Sequence, residues 1–132
     1  MPALSEYDLQ RAFCIWLDGN RDKASGEWRN PPALAPNVVY FHVPNGGSRN
    51  AAEGARFKAI GVKAGVPDLV FLAYQRFYLL EFKEPGGKGR LSPAQLEMHP
   101  RLIAAGATSL ATVDNLQDAK AWAYENKLTV RI

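Results

Sequence analysis

The sequence predicts an α/β domain of two or three layers, with elements in the order α-β-α-β-β-α-β-α. Three observations carry that expectation. Leu9, Ala12, Phe13, Trp16 and Leu17 recur at the spacing of one helical face. Two apolar runs, 68–73 and 77–83, alternate with period two about a short break. Two later segments open on Ser92-Pro93 and Asp114-Asn115, residue types that begin helices. With 132 residues, 47% hydrophobic and 22% charged, the chain reads as one domain over 1–132 and not as a disordered polymer.

Taken in order, Ser5 is an N-cap, and Glu6 and Asp8 lie in a first turn where the helix dipole favours anions. Glu6 and Gln10 border the apolar face, and Gly19-Asn20 ends the helix. Residues 19–37 lack periodicity and read as a long loop, pinned by Trp28, that is either a DNA-contacting or dimer-contacting flap or a tolerated insertion. Residues 38–43 form a strand between prolines, followed by the glycine-rich turn Pro44-Asn45-Gly46-Gly47-Ser48. That turn lacks the spacing of a phosphate loop or dinucleotide fingerprint, so no organic cofactor is expected.

A short helix is expected from Arg49 to about Ile60, weakened by Gly54. The runs 68–73 and 77–83 form a hairpin with Gln75-Arg76 as its two-residue loop. An even loop pairs Asp68 with Lys83 and puts Asp68, Glu81 and Lys83 on one face; an odd loop turns Asp68 away. After a basic loop (85–90), Ser92-Pro93 starts a helix that Pro100 should kink or split near Met98, and Gly106 stops it. Residues 107–113 form a strand, Asp114 or Asn115 caps a last helix through Asn126, and residues 128–132 form a terminal edge strand.

No apolar run reaches the ~18 residues of a membrane span, and residues 1–20 carry no signal-peptide pattern. The lone Cys14 cannot make an intrachain disulfide, which fits a cytoplasmic protein, and its helical setting makes it a core residue. His42 and His99 are isolated and read as structural or surface residues, so no zinc site is expected. The net charge of +3 permits a nucleic-acid partner without requiring one.

Charges at the ends of apolar strands are costly to bury unless paired or metal-bound. Two carboxylates a few ångströms apart, Asp68 and Glu81, repel unless a cation separates them, and oxygen donors suit Mg²⁺ or Mn²⁺. The backbone carbonyl of Phe82 would be a third protein ligand, and the Lys83 ammonium would orient a water and offset charge on a phosphate. Spacing alone leaves this reading level with a structural salt-bridged face.

Pro67-Asp68, Glu81-Phe82-Lys83 and Gln95 resemble the motifs of the PD-(D/E)XK nuclease superfamily. The chain is similar to its VRR-NUC (virus-type replication-repair nuclease) domains from Ser5-Glu6 and Gln10 onward. The likeness continues through His42-Val43-Pro44-Asn45-Gly46-Gly47, Gly61-Val62-Lys63-Ala64-Gly65-Val66-Pro67-Asp68, Leu91-Ser92-Pro93-Ala94-Gln95 and the helix end at Gly106. The resemblance implies a restriction-endonuclease-like core, a central mixed sheet flanked by helices. It implies Asp68 and Glu81 as metal ligands with the Phe82 carbonyl, Lys83 as the catalytic lysine, Gln95 as its helix-borne support, and Glu6 approaching the metal, directly or through water. The loop 19–37 and Pro100 lie outside the pattern.

The activity implied is Mg²⁺- or Mn²⁺-dependent hydrolysis of DNA, branched (Holliday-junction-like) or duplex, by a homodimer of phage or bacterial type. Arg49, Arg56, Lys58, Lys63, Lys88 and Arg90 become candidate phosphate contacts. The alternatives are a nucleic-acid-binding module of the same fold without catalysis, and a sequence-specific restriction-type nuclease.

Overall fold

The computed structural model describes residues 4–44, 50–87 and 89–132. Arg49, Lys88 and the Asn45-Gly46-Gly47-Ser48 turn lie outside the described residues. Helix α1 (Glu6–Asp18) opens with a capping box: Ser5 Oγ accepts from the Asp8 N–H while the Asp8 carboxylate accepts from the Ser5 N–H. Its apolar stripe buries Leu9, Phe13 and Leu17, and Gly19 closes it at φ 80.

The segment expected to be an unstructured loop contains a small hairpin, β1 (Asn20–Arg21) and β2 (Trp28–Asn30). The Arg21 guanidinium lies 4.0 Å over the Trp28 ring, and Arg29 pairs with Asp22 at 2.7 Å. Gly19 leaves room for the indole: a Cβ there would meet both the Trp28 ring and the Asn30 carbonyl. Two- and three-residue strands carry too little alternation to be read from sequence.

The main sheet has four strands in the order β3-β4-β5-β6: β3 (Val39–His42), β4 (Leu69–Ala73), β5 (Arg76–Phe82) and β6 (Ser109–Val113). β3-β4 and β4-β5 are antiparallel and β5-β6 parallel, so the sheet is mixed. Helix α2 (Ala51–Ala59), capped by Asn50, follows β3; α3 (Pro93–Ala104) crosses from β5 to β6; α4 (Leu116–Glu125), capped by Asn115, follows β6. The order is the expected one, with the β1-β2 hairpin added.

Leu69, Phe71 and Ala73 of β4 and Tyr78, Leu80 and Phe82 of β5 share one face. They pack with Leu9, Phe13 and Leu17 of α1 and Ala119, Trp122 and Ala123 of α4 into one core cluster. Phe71 is its hub, with ring contacts to Phe13, Tyr40 and Trp122. The opposite face, carrying Leu79 and Glu81, is partly covered by α3, which contacts β6.

Three expectations are corrected. The hairpin loop is Tyr74-Gln75, one residue earlier than Gln75-Arg76, because Ala73 pairs with Arg76. Both loop residues hold positive φ, 57° and 61°, the type I′ geometry that matches strand twist. The Tyr74 hydroxyl donates to the Lys127 carbonyl at 2.6 Å, a tether that offsets the local strain. Helix α3 is continuous through Pro100. The carbonyl that loses its donor there is that of Leu96, an exposed residue, where water can replace the missing N–H. Residues 128–132 form no strand; Leu34 and Thr129 make an isolated bridge, and Arg131 donates instead to the Pro31 and Pro32 carbonyls.

Candidate active site

Pro67 breaks the sheet where the charges begin. The β4-β5 register continues to a Pro67–Phe82 pair, but proline has no N–H to give Phe82. The ladder stops, and the Phe82 N–H donates to Asp68 Oδ2 at 2.8 Å instead. An extended residue sends its N–H and C=O toward the same neighbouring strand. The Phe82 carbonyl therefore points to the Asp68 side with no donor from residue 67. The same register sets Asp68 across from Glu81, not Lys83, two positions from the expected pairing. The loop is still even, so Asp68 and Glu81 share a face.

Glu81 is 3% exposed. Its Oε1 accepts from Gln95 Nε2 at 2.8 Å and lies 3.9 Å from Lys83 Nζ. Lys83 Nζ donates to Gln95 Oε1 at 2.8 Å, and the same oxygen accepts from the Ser92 N–H. Gln95 thus does two jobs: it completes the capping box of α3 and bridges the acid and the base of β5. The turn that carries it is pressed against Gly65 (φ 84), where any Cβ would strike the Ala94 carbonyl. Glu6, at the start of α1, accepts from the Glu84 N–H at 3.1 Å and so reaches the end of β5.

The electrostatics are unfavourable for a bare pair of carboxylates. Burial raises the Glu81 pKa to about 8, helped by the nearby Asp68 charge, by a hydrogen bond that the protonated acid makes to Asp68 and more weakly by Glu6, with Lys83 opposing. In the ionised form Glu81 Oε2 is buried with no hydrogen-bond donor among the described residues. A donor-poor carboxylate oxygen, a second carboxylate and a main-chain carbonyl on the same side form an all-oxygen set that suits a hard divalent cation. No group of three or more His, Cys, Asp or Glu side chains with metal-holding geometry occurs among the described residues, so the set depends on main chain as well as side chains.

The structure brings together Asp68, Glu81, Lys83, Gln95 and Glu6. Arg56, Lys58, Lys63 and Arg90 are exposed on the surface. His42 is structural: its Nδ1 donates to the Asp68 carbonyl at 2.7 Å. His99, expected to be structural or on the surface, is buried at 6% exposure one helical turn beyond Gln95, within the electrostatic reach of Lys83 and Asp68. The i, i+4 spacing of Gln95 and His99 was the available signal. Cys14 is half-buried, and desolvation raises its thiol pKa, as a core cysteine requires.

The sequence matches no protein-family model and no curated protein. Its fold is similar to that of a solved structure described as a VRR_NUC domain protein, with a TM-score of 0.68 and 25% identity, covering 98% of this chain and 93% of the other. The mixed sheet flanked by helices is consistent with a VRR-NUC nuclease fold.

Proposed function

We propose that this protein is a divalent-metal-dependent endonuclease that hydrolyses DNA phosphodiester bonds. The observation that carries the reading is the buried Glu81 carboxyl at the end of β5, whose Oε2 meets no donor when ionised and feels the Asp68 charge, with Lys83 alongside. The likeness to a VRR_NUC domain protein supports it.

Asp68, Glu81 and the Phe82 carbonyl would hold Mg²⁺ or Mn²⁺, and Glu6 would reach the same ion directly or through water. When bound, the ion would supply charge neutralisation at a phosphate oxygen and a more acidic water. Lys83, held by Gln95, offers an ammonium beside that water and offsets the charge that develops on the phosphate. Gln95 fixes the ammonium relative to Glu81, so that the lysine does not collapse onto the carboxylate. Arg56, Lys58, Lys63 and Arg90 are exposed cations suited to the phosphate backbone, and Arg49 and Lys88 are assigned the same role from sequence alone. The preferred substrate is branched DNA of the four-way-junction class, cut by a homodimer whose two-fold axis sets paired nicks.

The test uses purified protein with end-labelled four-way junction, flap and linear duplex of matched sequence, in Mg²⁺ and in Mn²⁺. Junction cleavage that disappears in Asp68→Asn and Lys83→Ala is the expected result. Cleavage persisting in both variants would put the chemistry elsewhere. A salt-sensitive gel shift without cutting of any substrate would mark a binding module. Sedimentation at micromolar concentration checks the dimer.

A further inference from the structure

The proposed reaction leaves His99 unused, although it lies next to that machinery. The imidazole is 6% exposed and its Nε2 has no hydrogen-bond partner. A buried polar atom left unpaired is destabilising, so its retention on the covered face of α3 calls for a reason. Lys83 supplies the complement. An ammonium has three protons to donate, and among the described residues its contacts are Gln95 Oε1 at 2.8 Å and Glu81 Oε1 at 3.9 Å. Gln95 and His99 are one turn apart on α3, so both lie on the same side of the helix.

We propose that His99 is a positioning residue for Lys83, its Nε2 accepting the ammonium through one bridging water. This inference rests on the nuclease reading only for the consequence to catalysis; the contact itself does not depend on it. Two acceptors from one helix, the Gln95 amide oxygen and the His99 imidazole, would fix the ammonium at a point that a single amide leaves free to swing. Burial and the Lys83 charge both hold the imidazole in its neutral, acceptor form, with Asp68 opposing. An ordered water there would have the ammonium and the imidazole nitrogen as its two polar partners. His99 touches no reacting atom in this scheme; it acts through Lys83.

Methionine and glutamine have the same chain length and differ in the polar end group, so His99→Met and His99→Gln separate packing from hydrogen bonding. The full chain, labelled with ¹⁵N-lysine, gives the first readout, with the Lys83 signal assigned by its loss in Lys83→Arg. A Lys83 ammonium signal protected from solvent exchange in the wild type and in His99→Gln, and lost to fast exchange in His99→Met, is expected. Identical Lys83 shift and exchange in folded His99→Met overturns the contact. If methionine prevents folding, His99→Leu takes its place.

The second readout is cleavage under the conditions given above. A fall in kcat of tenfold or more in His99→Met at unchanged KM, with most of the rate recovered in His99→Gln, is expected. Wild-type kcat in His99→Met overturns the positioning role while leaving the nuclease intact. A wild type that cleaves nothing removes the nuclease reading, and the lysine spectrum still decides the contact.

Discussion

Glu81 is the one carboxyl among the described residues whose pKa is pushed upward. Its carboxylate lies beside Asp68 and keeps one oxygen unpaired, so the apo protein gains by neutralising it. Glu81→Gln retains an acceptor for the Gln95 amide and removes the repulsion with Asp68. The expected outcome is a higher Tm for the metal-free variant than for the wild type at pH 8. The stabilisation by Mn²⁺ seen in the wild type should also be absent, both readable by calorimetry with and without the ion. Equal Mn²⁺ stabilisation of the two proteins would remove Glu81 from the cation site. Gln95 is the converse case, a residue whose side chain bonds only to the site and to its own helix cap among the described residues. Gln95→Ala is expected to lower the cleavage rate by tenfold or more and to lower helix stability by about 1 kcal/mol through the lost cap. Kinetics and thermal melts check the two effects separately.

The β4-β5 hairpin is the element on which the site depends, and its turn is the least conventional part of it. Tyr74 and Gln75 both occupy the left-handed region, where asparagine and glycine are the usual residues. Tyr74 has its tether to Lys127, whereas Gln75, at φ 61°, has no such tether among the described residues. Gln75→Gly is expected to stabilise the fold by about 1 kcal/mol, raising Tm by a few degrees without changing cleavage. A lower Tm would mean that the side chain contributes more than its backbone conformation costs.

This turn also shows which parts of the fold were legible. Ser5, Ser92-Pro93 and Asn115 announced their helices because capping is a local hydrogen bond between near neighbours. The Tyr74-Gln75 turn was placed one residue late because nothing in the dipeptide favours φ > 0; a hydrogen bond from 53 positions away supports it. The shared face of Asp68 and Glu81 survived the error because parity, not position, decides it. Pro100 misled for the related reason that the accessibility of the Leu96 carbonyl is a tertiary fact. For His99 the sequence offered only its i, i+4 spacing from Gln95, and its burial follows from how α3 lies on the sheet.

For the molecule as a whole, Glu81 ties stability to pH. The folded protein holds that proton up to about pH 8, whereas an unperturbed glutamate releases it near 4.5. The contribution is therefore complete below about 4.5 and is lost as pH rises through 8. His99, its pKa lowered from 6.5, works in the opposite sense: it favours the fold above 6.5 and disfavours it as pH falls. Between 6.5 and 8 the Glu81 effect stands apart, at about 2 kcal/mol for one proton over that interval. The metal-free protein is expected to lose Tm across this window, and saturating Mg²⁺ to flatten the loss; a scan of Tm against pH with and without the ion checks both. No helix among the described residues is long and apolar enough to cross a membrane. The exposed side chains of Val39, Phe41 and Leu72 instead leave the β3-β4 half of the α3 face open.

The break that Pro67 makes in the ladder has a kinetic side. Asp68 and Phe82 are 14 positions apart, close enough to meet as soon as the hairpin closes, an event of roughly 1–10 μs in isolated chains. Glu6 joins Glu84 across 78 positions and so depends on the slower docking of α1. The two facing carboxylates are thus assembled in the most local piece of the fold, before the helices that shield them are in place. The nascent hairpin meets its charge conflict while still open to solvent, where a captured proton or cation can relieve it before the core closes.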